Sequence, residues 1–306
     1  MPPAELVHEI LQFLTASEYP LRYGYDKDVL HALSQLCLVN HFFYDISVSY
    51  LYSSIIITQN SQLQALTDTL HSSIILCSYT HSLSFPNFFC DLYPSSPLVP
   101  LLCNALNLVN PYLRRLSLWA AVSDFACSSL MKETFDRFTD LEEFLCIGNA
   151  GRPDIHIWSG WPNLHRLLLE GAEVSESLIK AVAMLPSLTQ LGLLNAVWHG
   201  SFQLNPTHEF DVRPIVELSE ASRSLRMIIL GFPWPLGRFS PLFVTLRTTF
   251  SKISYNQRSD VRYIQLPING WSSRVMDSMA SDGSFWELDS ESLINVDEAL
   301  FDERLA

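Results

Sequence analysis

Basic residues are scarce in this chain. Nineteen Lys and Arg stand against 32 Asp and Glu in 306 residues, a formal net charge of −13. That balance argues against general binding to DNA or RNA, whose phosphates demand clustered cations. No GxxxxGK[ST] loop and no GxGxxG occurs, so no phosphate cradle is expected. HExxH and paired Cys/His spacings are missing, so neither a metal nor any other cofactor is expected. No Gly-x-Ser-x-Gly elbow marks a hydrolase. No carboxylate pair stands out for acid–base work. His199 beside Trp198, and His156 near Trp158 and Trp161, read as structural or surface histidines. The expectation is a protein that is not an enzyme.

The six cysteines (Cys37, Cys77, Cys90, Cys103, Cys127, Cys146) include no CxxC pair and mostly sit among apolar neighbours, as buried free thiols do. No secretory signal precedes Pro3, and the one Asn-x-Thr triplet, Asn205-Pro206-Thr207, has Pro in the middle. An intracellular chain, cytoplasmic or nuclear, is expected. One long uncharged stretch, Leu92 to Leu113, carries Asn104, Asn107, Asn110 and several prolines, so no membrane span is expected.

What is present is apolar periodicity, in a chain of 48% hydrophobic residues. Pro3 suits a first helical turn and Glu5 favours the positive end of the helix dipole. Leu6, Val7, Ile10, Leu11 and Leu14 then recur at three- and four-residue steps. Val29 to Leu36 repeats that spacing, and Phe42, Phe43, Ile46, Tyr50 and Leu51 form a third run. Three short helices in about fifty residues are near the lower limit for independent folding. Their stripes must pack on each other, on the following domain, or on another protein.

Residues Pro3 to Ile57 resemble an F-box. Pro3, Glu5, Leu6, Ile10, Leu11 and Leu14 match its opening Leu-Pro-x-Glu-Leu and Ile-Leu-x-x-Leu patterns. Leu38, Val39, Ile46, Leu51, Tyr52, Ser54 and Ile55 match its second half. Pro2, Asn40 and Phe43 stand where the family usually has Leu, Cys and Trp, and the link Ser17–Lys27 is longer than usual. The resemblance implies docking on a Skp-type adaptor and, through it, on a cullin. Pro3, Leu6, Ile10, Leu11, Leu36, Val39 and Phe43 are the expected adaptor contacts. The alternative is that these helices cap the domain that follows.

Beyond them a faint repeat runs on, with apolar residues at positions one, four and six. The copies are Tyr52/Ile55/Ile57, Leu113/Leu116/Leu118, Leu141/Phe144/Cys146, Leu164/Leu167/Leu169, Leu188/Leu191/Leu193, Leu225/Ile228/Leu230 and Val261/Ile264/Leu266, with Leu83 and Phe85 a partial one. From Leu113 the first positions step by 28, 23, 24, 37 and 36 residues, bracketing leucine-rich-repeat periods. Positions four and six share one side of a short strand. Helix-like runs lie between, such as one opened by a capping box at Ser61–Gln64, Phe125–Phe138 and Leu178–Leu185. One strand plus one helix cannot bury a core alone, so units must stack.

This half resembles the degenerate leucine-rich repeats that follow many fungal F-boxes; the family's turn Asn appears only as Asn149. The expected fold is therefore α/β: a three-helix F-box-like module over 1–52, then an irregular leucine-rich-repeat solenoid over 53–275 with a parallel sheet on its concave face. An acidic segment over 276–306 follows. From Asp277 onward it holds nine acids and one base, Arg304. An ordinary α/β domain with buried parallel strands is the alternative. Positions three, five and seven should face away from the core. That places Arg115, Trp119, Glu143, Arg166, Glu170, Gln190, Met227, Tyr263 and Gln265 on the side offered to a target protein. The implied function is substrate recognition in a Skp–cullin–F-box ubiquitin ligase; a repeat scaffold without a ligase is the rival.

Overall fold

The computed structural model describes residues 4–15, 27–86, 96–119, 129–147, 160–194, 197–198, 213–233, 261–268 and 286. Three helices come first: α1 (Ala4–Thr15), α2 (Lys27–Val39) and α3 (His41–Ser53). Asn40 separates α2 from α3. Its backbone is extended, and its side-chain oxygen accepts the Phe43 N–H at 3.1 Å, an N-cap that ends one helix and starts the next. Val7, Leu11, Leu33 and Ile46 are buried together, with Val29, Leu36, Phe42, Phe43, Tyr50 and Leu51 packed around them. The His8 ring nitrogen lies 3.3 Å from the Tyr50 hydroxyl, tying α1 to α3.

From α3 the chain runs straight into strand β1 (Ser54–Ile56), then α4 (Asn60–Ser72), α5 (Ile74–Tyr79) and β2 (Ser82–Phe85). Helix α6 (Leu98–Val109) leads to β3 (Arg115–Trp119), and α7 (Ser129–Phe135) to β4 (Glu143–Ile147). Next come β5 (Arg166–Glu170), β6 (Glu173–Val174), α8 (Glu176–Ala183), β7 (Gln190–Leu194) and β8 (Val197–Trp198). The described elements close with α9 (Arg213–Ala221), β9 (Met227–Pro233) and β10 (Arg262–Ile268). Helix α4 opens two residues before the expected capping box. Gln62 Oε1 accepts the backbone N–H groups of Thr58 and Gln59, so the box is Gln59/Gln62 rather than Ser61/Gln64.

The result is a mixed α/β architecture. Eight strands form one sheet in the order β1-β2-β3-β4-β5-β7-β9-β10, every pair parallel; β6 and β8 pair separately. Each new strand lies beside its predecessor in the sheet, so the sheet grows in one direction. Helices pack on helices along it, α4 on α6, α6 on α7 and α8 on α9. One backbone bond recurs at each joint. Arg114 N–H donates to His81, Glu142 to Arg114, His165 to Glu142, Thr189 to His165 and Arg226 to Thr189. This repeated bond holds the register constant from β2 to β9.

The core follows the sequence pattern closely. Leu83, Phe85, Leu116, Leu118, Phe144, Cys146, Leu167, Leu169, Leu191, Leu193, Ile228 and Leu230 are buried in one cluster with the helices. Position-one residues Leu113, Leu141, Leu164, Leu188 and Leu225 belong to it too. Phe135, Phe138, Phe144 and Trp161 form an aromatic knot within it, and the Trp161 indole donates to the Phe135 carbonyl at 2.9 Å.

The last strand departs from expectation. Arg262, not Tyr263, pairs with Met227; Tyr263 pairs with Ile228 and Gln265 with Leu230. The ladder is one residue out from the alignment that grouped Tyr263 and Gln265 with Met227, and in a sheet one residue separates the two face registers. The shift follows a step of 36 residues from Leu225 to Val261, although the 37-residue step before it keeps the register of β7 and β9. The side chains of Tyr263 and Gln265 lie outside the described residues.

Candidate functional site

Helix α1 carries two apolar stripes. Val7 and Leu11, one turn apart, turn inward and are 5% and 1% exposed. Leu6, Ile10 and Phe13 recur at four- and three-residue steps on the neighbouring stripe and remain 46%, 50% and 81% exposed. Leu38 and Val39 at the end of α2 are also largely exposed. An ordinary surface helix places polar residues where α1 has this second stripe. Scattered single apolar residues on a surface are unremarkable, whereas a run on one helix face marks a contact surface.

The expected adaptor contacts therefore separate. Leu6, Ile10 and Val39 are presented to solvent. Leu36 and Phe43 are half-buried against the module's own core. Leu11 is a correction: it fills that core and is unavailable to a partner, because its phase on the helix points it at Leu33 and Ile46. Pro3 lies outside the described residues. Phe13, which the periodicity did not single out, is the most exposed large apolar side chain of the molecule's described part.

The second surface is the sheet face turned away from the helices. Register places Arg115, Glu143, Arg166, Gln190 and Met227 side by side across five strands. Glu143 is fully buried, although its position suggests a solvated residue. Its Oε2 accepts Arg166 Nε at 2.9 Å, and its Oε1 accepts the indole N–H of Trp286 at 3.2 Å. Gln190 Nε2 donates to the Trp286 carbonyl at 3.4 Å. Trp286 itself is only 3% exposed. Buried carboxylates persist where both oxygens are engaged by a cation or strong donors, and this one is.

Leu145, Leu168 and Ile229 lie between core-facing neighbours, so alternation points them to this same face, and they too are buried. The expectation of an open face is thus corrected at Glu143 and Met227, which are covered; Arg115, Trp119, Arg166, Glu170 and Gln190 are half-buried. The signal for this was present in the sequence as a Phe285-Trp286 pair inside an acidic segment. His199, His156 and Trp158 lie outside the described residues.

Among the described residues no group of three or more His, Cys, Asp or Glu is arranged to hold a metal ion. No described helix is long and apolar enough to cross a membrane. Burial pushes the thiols of Cys77 and Cys103 above the ordinary range, with backbone hydrogen bonding, and at Cys103 the Thr134 side chain, opposing that shift. Neither is set up as a nucleophile. Compared with known proteins, the sequence matches no family model and no curated protein at a significant level.

Proposed function

We propose that this protein is the substrate-recognition subunit of a Skp–cullin–F-box ubiquitin ligase. On this reading α1–α3 form an F-box-like module and the parallel sheet with its helices is an irregular leucine-rich-repeat solenoid. The observation that carries the reading is the Leu6/Ile10/Phe13 stripe, left exposed on a helix whose other stripe already builds the module's core. It lies in the segment whose residues resemble an F-box. The partner is a Skp-type adaptor and, through it, a cullin; the sheet domain holds a target protein in the cytoplasm or nucleus. The protein makes and breaks no bond itself. It supplies proximity between target lysines and a separate conjugating enzyme, which is a large rate factor.

The test is co-purification of the full chain with its host's Skp-type adaptor. A one-to-one complex that is lost in a Leu6→Ala/Ile10→Ala variant supports the reading. A second reading, a repeat scaffold working without a ligase, is favoured by one feature: α3 continues into β1 and packs on α5, so the helices also cap the sheet. A folded full chain that ignores the adaptor hands the function to that scaffold.

A further inference from the structure

From Ile46 to Leu113 the sequence carries no Lys or Arg, and its acids are Asp68 and Asp91 alone, whereas charged residues make up 17% of the chain. This stretch supplies most of α3, then β1, α4, α5, β2, α6 and the 3-10 turn Asn110–Tyr112. Helix α5 lies in the middle of it, packed on α3, α4, α6 and that turn. Its inward side is used: Cys77 is buried, and Leu76 packs on the main core. Its outward side carries Ile74 and Ile75, 79% and 63% exposed. Outside α1 and α2 these are the most exposed large apolar side chains among the described residues. Tyr44 on α3 and Tyr112 in the turn, on elements that touch α5, are exposed as well. Ser72 and Ser73, next to the pair in sequence, add accessible polar groups without charge.

We propose that this face of α5 docks a second copy of the same chain in a two-fold contact. Composition argues for a like partner. An apolar centre with hydroxyls beside it and no charge fits the homodimer class, whose interfaces are more apolar than those of transient pairs. A partner selected by charge would find no counter-charge here. Net charge argues for the place. Two copies at −13 each repel, and contact through α5 joins apolar faces without pressing acids together. Asp68, the one described acid of this stretch, is on α4 and is held by Gln64 Nε2 at 2.9 Å. A two-fold axis also doubles a small patch, because Ile74 and Ile75 of both copies enter it. The four elements around α5 hold the pair in place, so little ordering cost opposes docking. The proposal is independent of the ligase reading, since α5 lies outside the F-box-like module and the test contains no adaptor.

The experiment is sedimentation equilibrium of the full-length chain, wild type and Ile74→Ser/Ile75→Ser. The wild-type mass should rise from 34.8 kDa toward twice that value as concentration increases to about 100 µM. The double variant should fold and raise the dimer Kd at least about 100-fold, since each substitution removes its contact twice. Added salt should tighten the wild-type dimer by screening the repulsion between copies. A wild-type chain that stays at 34.8 kDa overturns the proposal and leaves this face to a different protein. A dimer that the folded variant keeps also overturns it, as does one that salt dissociates. If the double variant does not fold, Ile75→Gln alone takes its place. Failure of that variant too overturns the proposal, because the pair is then part of the fold.

Discussion

Neighbouring residues on α1 should give opposite results when truncated. Leu6 and Ile10 are about half exposed, so docking has roughly half of each side chain left to bury. Full burial of such a side chain stabilises by about 1.5–3 kcal/mol, so the remaining half contributes about 1 kcal/mol. The Leu6→Ala/Ile10→Ala variant should then lose about 2 kcal/mol of adaptor binding, a roughly 30-fold rise in Kd. Its folding should change little, because Ala is the better helix former and no cavity opens. Leu11 is 1% exposed and one of the four buried residues that form the module's apolar cluster. Leu11→Ala should destabilise that module by about 2–3 kcal/mol. Titration calorimetry against the adaptor reads the first effect, and amide exchange across α2 and α3 reads the second. A double variant that loosens α2 and α3 as much as Leu11→Ala does, or that binds the adaptor with unchanged Kd, would refute this division of roles.

Three further outcomes are expected. Arg166→Met strands the buried Glu143 carboxylate and should lower unfolding free energy by about 2–3 kcal/mol, less than for a wholly buried pair because the Arg166 side chain is 19% exposed; an unchanged urea midpoint would contradict the network described. Trp161→Ala removes the centre of the aromatic knot and should cost about 3–5 kcal/mol by the same assay, whereas a loss under 1 kcal/mol would mean the knot is loosely packed. In the native chain at pH 8, iodoacetamide should label Cys103 and Cys77 far more slowly than the half-buried Cys37; burial raises all three thiols, so the difference comes from access. Peptide mass spectrometry reads this, and equal rates would refute it.

The sheet was legible because its signal is local. Leu116 and Leu118, or Leu167 and Leu169, are two residues apart, and a strand can only put such a pair on one side. Their recurrence at 23 to 28 residues leaves room for one helix, so parallel neighbours follow. The misses have other causes. Leu6 and Leu11 look alike in a helical stripe, and which one turns inward depends on where Leu33 and Ile46 arrive from α2 and α3. Asn40 reads as a departure from a motif, yet its role is to cap α3. The closure over Glu143 comes from a residue 143 positions away, and no periodicity reports a contact of that range. The offset of β10 follows a unit of 36 residues, while the 37-residue unit before it keeps its register, so unit length does not report it.

The proposed function rests on the exposed stripe of α1 docking a Skp-type adaptor. Amide hydrogen exchange of the full-length chain, alone and with one equivalent of that adaptor, tests it most directly. Added protection is expected only in residues 4–15 and the end of α2, with β3 to β9 unchanged. No added protection in α1, with the chain folded and that equivalent of adaptor present, would contradict it.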